Sequence, residues 1–462
     1  MLYELLRGTA AIALRWYYSD IVVQGAAHVP SRGPLVIIAN HPNALIDPLL
    51  VGASITRRIR LTAKATLFDH PALAPLLRAV GVVPLRRAKD EPRGGVPAII
   101  TPERNAFAFQ LVTSALRAGE AVLVFPEGIS HDDPAIAPLK SGAARMAIQA
   151  QAEGVQGIRL LPIGLVFEEK ERPGSRVLVR VGESLDLDSW IAARGQTDAA
   201  TLTDTLEEGL RAVTLNFASA ERAERAVRLA RTLSALAAAP ARVEHPRSLD
   251  AEVALAIRID AAMSALPNAT PSVTDAVDEL SSRVGAIEGE LHRRGISLVD
   301  VRVSMRLPDA AVFVAREGPL ALIAIVAVVL GWATHWLPLR VAHRLALRSL
   351  GRDTSRDQPA MRTILFSLSA IAMWYVAQAV VITHYVGPLA ASMWLALIFA
   401  AAHGLRLGRG RLRRALGRAR AFLALRADST LQPRILAEVD ALLSDALALE
   451  GTLIASGPSS GV

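Results

Sequence analysis

The 462-residue sequence contains no cysteine. This excludes disulfides, thiolate metal sites and cysteine nucleophiles, and it fits a reducing compartment. Aromatic residues are scarce, at 5%. No basic stripe is interleaved with them, as a single-strand nucleic-acid binder needs. The net charge of +8 therefore calls for another reading. The arginines cluster beside apolar segments, where anionic lipid head groups attract them, and no nucleic-acid partner is expected. No G-x-S-x-G elbow is present, which disfavours a serine hydrolase. The first twenty residues, MLYELLRGTAAIALRWYYSD, lack a signal-peptide pattern. Arg7 and Arg15 interrupt the apolar run, and no small-residue cleavage site follows.

Apolar residues make up 52% of the chain, and the excess gathers after residue 310. Residues 319–337 are apolar and just long enough to span a bilayer. Two further apolar runs, 364–386 and 388–403, meet at Gly387-Pro388 and read as a membrane hairpin. Arg340, Arg344, Arg348, Arg352, Arg356 and Arg362 precede the hairpin. Arg406, Arg409, Arg411, Arg413 and Arg414 follow it, so both its ends are expected in the cytoplasm. A single crossing by 319–337 would then separate residues 20–190 from the cytoplasm. A re-entrant or interfacial segment, turned at Gly318-Pro319 and Pro338, is the expectation.

Between residues 20 and 190, short β-rich runs alternate with helical stretches. Strands are expected at Leu35–Ala39, Gly81–Leu85, Ala121–Phe125, Leu160–Phe167 and Arg176–Val181. Helices are expected at Pro48–Ala53, Ala72–Val80, Asn105–Ala118 and Ser141–Ala152. The alternation indicates an α/β domain with a largely parallel sheet. Residues 191–307 read as helices broken near Pro240, Pro246 and Pro267–Pro271. The resulting plan is an interfacial amphipathic helix at 1–19, the α/β domain at 20–190, and a helical region at 191–307. A membrane-embedded region at 308–405 and a basic helical tail at 406–462 complete it. In the first helix Leu2, Leu5, Leu6, Thr9, Ile12 or Ala13, and Trp16 share a face, and Trp16, Tyr17 and Tyr18 form an aromatic cluster. That pattern suits a helix lying on a membrane or one packed on the domain core.

Two blocks carry candidate chemistry. Asn40-His41-Pro42-Asn43-Ala44-Leu45-Ile46-Asp47 follows the strand LVIIA. The ends of parallel strands are where α/β sites gather. An imidazole there can accept a proton near neutral pH while a carboxylate holds its other nitrogen. Pro42 biases His41 away from the helical region. A structural histidine is the alternative. The second block, Phe125-Pro126-Glu127-Gly128-Ile129-Ser130, follows the strand AVLVF. Its turn brings a carboxylate and free backbone N–H groups to a sheet edge, although an ordinary Pro-Glu-Gly turn has the same sequence.

Four ordered blocks, NHPNALID (40–47), GVVPLRR (81–87), FPEGIS (125–130) and LLPIGLVF (160–167), resemble the glycerolipid acyltransferase superfamily. This is the group of glycerol-3-phosphate and lysophosphatidate acyltransferases. The resemblance covers about residues 20–185 and includes Lys64 in LTAKATLF and PLKSGAAR (138–145). Five residues separate His41 from Asp47, where the commonest family pattern has four. That variant, with Ser130-His131-Asp132, resembles the fungal glycerol-3-phosphate/dihydroxyacetone-phosphate acyltransferases and their bacterial relatives.

The resemblance implies His41 as general base and Asp47 as its orienting partner, with direct attack on an acyl thioester. It also implies Arg87 as the phosphate ligand, with Arg86 beside it as the alternative and Lys64 assisting. Glu127 and Gly128 resemble the acceptor-binding pair, with Asn43 and Ser130 as further substrate-binding residues, and Pro162 resembles the start of an acyl pocket. The donor would be acyl-CoA or acyl carrier protein, the acceptor a glycerol phosphate, and the setting a membrane with the catalytic domain cytoplasmic. No metal and no cofactor are expected, although His131, Asp132 and Asp133 lie near enough in sequence to pose the question. The rival readings are a lysophosphatidate acyltransferase and an inactive membrane-anchored binding or scaffold protein.

Overall fold

All five residues of Leu35–Ala39 are wholly buried. A strand points successive side chains to opposite faces, so such burial requires cover on both. The computed structural model describes residues 2–69, 74–85, 106–195, 198–237, 248–265, 271–348 and 358–456. They form two compact units, Met1–Ala218 with Ala346–Leu365, and Ser219–Leu345 with Phe366–Val462.

The first unit begins with α1 (Leu2–Tyr17), β1 (Asp20–Gln24), β2 (Leu35–Ala39), α2 (Ile46–Ser54) and β3 (Ile59–Lys64). It continues through α3 (Ala74–Ala79), β4 (Val83–Leu85), α4 (Ala106–Arg117), β5 (Ala121–Val124) and α5 (Gly142–Ala152). It ends with β6 (Arg159–Phe167), β7 (Arg176–Val181), β8 (Leu185–Asp186), α6 (Leu187–Arg194) and α7 (Ala199–Val213). The described strands form one sheet in the order β1-β7-β6-β2-β5-β3-β4, with β8 also on β6. Strands β2, β3, β4, β5 and β6 run parallel; β7 and β8 pair antiparallel with β6, and β1, parallel to β7, runs the same opposite way.

Val36 and Ile38 point into one core with Val122, Val124 and helices α4 to α7. Leu35, Ile37 and Ala39 point into the other, with Leu123, Ile163, α1 and α2. The first core does not stop at residue 190, as the sequence suggested. Leu202, Leu206 and Leu210 of α7 fill it as well. The backbone of α7 comes so near β6 that a Cβ on Gly164 would meet the Val213 carbonyl oxygen at 1.9 Å. Asp186 caps α6 by accepting from the Ser189 N–H at 2.8 Å, a bond that holds its carboxyl below the usual range.

Helix α1 divides its surface. Leu14 and Tyr17 are buried against α2 and the sheet, joined by Tyr18 just beyond the helix end. Arg7 donates to the carbonyls of Gly52 (2.9 Å) and Ile55 at the end of α2. The Tyr17 and Tyr18 rings are therefore core residues rather than interfacial ones. Burial, helped by Glu171, pushes the Tyr17 hydroxyl up to about 12. The Leu2, Leu5 and Ile12 side chains remain exposed on the opposite face.

The second unit comprises α8 (Ala220–Ala237), α9 (Leu249–Ala265), α10 (Pro271–Arg293), α11 (Leu307–Arg348) as far as Leu345, and α12 (Gln358–Tyr385) from Phe366. It closes with α13 (Pro388–Ala427) and α14 (Leu431–Ser456). The helical region and the basic tail, separate in the sequence reading, share one core. Val284, Ile287 and Leu291 of α10 pack with Ala421 and Leu425 of α13 and Leu431, Ile435 and Val439 of α14. The segments around Pro240, Pro246 and Pro267 lie outside the described residues.

Helix α11 runs through Pro319 and Pro338 without a break. The expected re-entrant turn is thus not formed. A proline removes one backbone bond, and neighbouring helices can supply the lost support within an apolar segment. Helices α11, α12 and α13 are all long and apolar enough to cross a membrane, so the described residues hold three candidate spans. Helices α11 and α13 pack antiparallel on small residues. A Cβ on Gly331 would lie 2.5 Å from the Ala401 carbonyl oxygen, and one on Gly404 2.8 Å from the Ala327 Cβ. Glu317 of α11 pairs with Arg411 of α13 at 2.8 Å. Further along, His335 hydrogen-bonds the Tyr375 hydroxyl at 2.7 Å, tying α11 to α12.

Candidate active site

Strands β2, β3, β4 and β5 all present their carboxyl ends at one sheet edge, because they are parallel and adjacent. That edge is where an α/β sheet offers a crevice. The chain leaving β2 is fixed first by Asn40. Its amide donates to the Leu165 carbonyl (3.1 Å) and accepts from the Leu165 N–H (2.7 Å), continuing the pairing with β6.

His41 follows. Its Nδ1 bonds Asp47 Oδ2 at 2.9 Å, and its ring stacks on Phe125 with centroids 4.0 Å apart. With a carboxylate on Nδ1, that nitrogen carries the proton and Nε2 presents its lone pair. Among the described residues Nε2 has no hydrogen-bond partner. Asp47 lies in the first turn of α2 and has no exposed surface. Burial drives its carboxyl above the ordinary aspartate range. The His41 hydrogen bond and charge, the Asn43 N–H (2.7 Å) and Lys170 each pull part of it back.

The turn between them holds Ala44 at φ 42°, the one left-handed non-glycine residue among those described. This kink lets a chain with five intervening residues still bring His41 onto Asp47. Ser130 supports it, its Oγ accepting from the Ala44 N–H at 3.1 Å. Asn43 is fully buried, and its amide donates to the Tyr18 hydroxyl at 3.1 Å. In this arrangement its side chain braces the loop.

Glu127 reaches the site from the end of β5. One oxygen accepts the His41 backbone N–H at 2.9 Å. The other accepts from His131 Nε2 and from the Ala137 N–H at 2.8 Å. At 2% exposure the carboxylate is a hub that locks three segments. Gly128 has φ +71°, a left-handed conformation that favours glycine, and a Cβ there would also displace the Lys140 side chain, 2.6 Å away at Nζ.

Lys64 ends β3, two strands from β2. Pro162 sits inside β6 opposite Ile38 and beneath Gly182, whose Cβ would meet its ring at 2.9 Å. The residue lies within the sheet, in the strand that the sequence predicted. Arg86 and Arg87 follow β4 and lie outside the described residues. Sequence reasoning missed Lys170, which donates to the Pro42 carbonyl at 2.6 Å and pairs with Asp132. It also gave His131 no structural part. A basic residue in the β6–β7 connection carries no local signal of what it will meet.

Residues 20–166 match the family model described as Acyltransferase. The glycerol-3-phosphate O-acyltransferase 1 of Saccharomyces cerevisiae is 22% identical over 292 residues, covering 44% of this chain and 38% of that protein. The 1-acyl-sn-glycerol-3-phosphate acyltransferase of Borreliella burgdorferi is 24% identical over 162 residues, covering 35% and 57%. The chain thus spans well under two thirds of either relative. The crystal structure of the 1-acyl-sn-glycerophosphate (LPA) acyltransferase from Thermotoga maritima aligns with a TM-score of 0.35 at 21% identity, covering 46% of this chain and 78% of that one. The match to the Acyltransferase family model thus covers the part of the chain, residues 20–166, that holds His41, Asp47 and Glu127.

Proposed function

We propose that the chain transfers a fatty acyl group from a thioester donor, acyl-CoA or acyl carrier protein, to a hydroxyl of glycerol 3-phosphate. The observation that carries this reading is the His41–Asp47 pair at the carboxyl edge of the sheet, with Nε2 unpartnered among the described residues. Nε2 takes the proton of the acceptor hydroxyl as its oxygen attacks the thioester carbonyl. Asp47 holds the imidazolium that forms. The C–S bond then breaks, and the departing thiolate takes the proton back from Nε2. An ester and a free thiol result, with no acyl-enzyme. Arg87 would bind the acceptor phosphate through its two-pronged donor fork, assisted by Lys64.

Similarity to the yeast relative, whose name specifies glycerol 3-phosphate, supports that acceptor. Similarity to the Borreliella relative favours a second reading, with 1-acylglycerol 3-phosphate as acceptor. The ratio kcat/KM for the two acceptors, offered with one acyl-CoA to the full chain in membranes, decides between them. A higher value for glycerol 3-phosphate is expected, and a clear preference for the lysolipid reverses the assignment.

The site is proposed to work at the cytoplasmic face of a membrane. Basic residues flank α11 at both ends, so charge alone does not orient it. Its first turns pair with the basic half of α13 through Glu317 and Arg411. The basic segment 406–426 favours the cytoplasmic side; with the start of α11 paired to it, α11 and α13 would cross and α12 would not, because three successive crossings put those two ends on opposite faces.

A further inference from the structure

Arg411, Arg414 and Arg418 are three and four residues apart, so they form one stripe on α13. Like charges at these spacings repel, and something must offset them. A shallow pocket opens between this stripe and α11, lined also by Phe313, Glu317 and Ala415. Two carboxylates face the local guanidinium groups. Glu317 pairs with Arg411 at 2.8 Å and Arg316 at 3.0 Å, and Asp300 approaches Arg418 at 4.0 Å. Arg414 is exposed and has no ion-pair partner among the described residues. The pocket therefore keeps a cationic surplus.

Its depth is set by the apolar segments. Glu317 lies two residues before the apolar run of α11, about 3 Å along the axis, and Arg411 eight residues after that of α13, about 12 Å. The interfacial layer of a bilayer occupies roughly 5–8 Å beyond each side of the hydrocarbon core. Counted along α11, the pocket spans Phe313 to Glu317, about 3 to 9 Å beyond the apolar run and so at head-group level, while along α13 its arginines extend outward, to about 22 Å at Arg418; the exposed Val312 and Val314 lie beside it.

We infer that this pocket between α11 and α13 binds the phosphate head group of an anionic phospholipid, with Arg414 and Arg418 as its charge partners and Glu317 as a competing carboxylate. The inference rests on the membrane placement of α11 and α13, not on the acyl-transfer reading. A lipid held there would also clamp the two helices together where Arg411 already meets Glu317.

The test is equilibrium binding of a fluorescent-tailed phosphatidylglycerol to the full chain in phosphatidylcholine nanodiscs, a readout that needs no turnover. Arg414→Gln should weaken binding about fivefold, the scale of one basic side chain at an anionic surface. Glu317→Gln should tighten it, because the competing charge is gone; a purely structural Glu317–Arg411 pair predicts the reverse. Millimolar glycerol 3-phosphate should not displace the lipid. Unchanged affinity in Arg414→Gln, weaker binding in Glu317→Gln, or displacement by the soluble phosphate would each overturn the assignment. Thermal melts of both variants separate loss of fold from loss of site.

Discussion

His41 and Asp47 are joined by one hydrogen bond, but their environments differ in a way that can be measured. Asp47 has no exposed surface, and burial raises its carboxyl above the ordinary value. The native state then holds that proton more tightly than the unfolded chain does. Its contribution to stability is full below the unfolded carboxyl pKa and is lost as pH rises through the higher folded one. Asp47→Asn cannot titrate. Its melting temperature relative to the parent should therefore become more favourable as pH rises from about 4 to about 7, while turnover falls. A difference that grows less favourable over that range would show that pairing outweighs burial. Ala44 gives a second check. A left-handed alanine costs about 1–2 kcal/mol, which glycine avoids. Ala44→Gly should keep activity and melt no lower, and Ala44→Val should lower both. The His–Asp pairing was readable because strand, proline and helix start confine it. The kink at Ala44 and the hub role of Glu127 were not, since the first depends on Ser130 arriving from the end of β5 and the second on the His41 N–H arriving from the end of β2.

Elements with a clear period were legible, and those defined by partners were not. The sequence reading found β2, β5, β6 and β7 with their boundaries nearly right, because their apolar runs are dense in Val, Ile and Leu. It missed β1 and β3, whose residues are only half-buried and include Asp20, Gln24, Arg60 and Lys64. Pro162, an unpromising residue for a central strand, is accommodated in β6, where its carbonyl accepts the Gly182 N–H at 2.9 Å. The GLRLG run at 404–408 was overlooked as a packing motif, although its two glycines face α11. Gly331 is the sharpest test of that contact. Gly331→Val places carbon where the α13 backbone already lies, and overpacking of this kind costs about 1–3 kcal/mol. Purified full chain carrying it should melt lower and lose activity on warming before the parent does. An unchanged melting temperature would mean that α11 and α13 do not pack this closely.

At the scale of the molecule, one unit carries the proposed active site and the other carries most of the apolar helices. The first boundary was misjudged because α7 is an ordinary amphipathic helix in sequence. Only its burial against β6 assigns it to the α/β domain. The second unit was divided in the sequence reading because α10 and α14 lie more than a hundred residues apart, yet they share a core. Function in this account depends on a proton leaving an acceptor hydroxyl for His41 Nε2, and one variant addresses that step directly. Transfer of labelled acyl groups from acyl-CoA to glycerol 3-phosphate should be measured for the parent and for His41→Ala, with their melting temperatures compared. The account predicts a folded variant whose turnover falls at least about a hundredfold. A folded His41→Ala protein with near-parent turnover would contradict it.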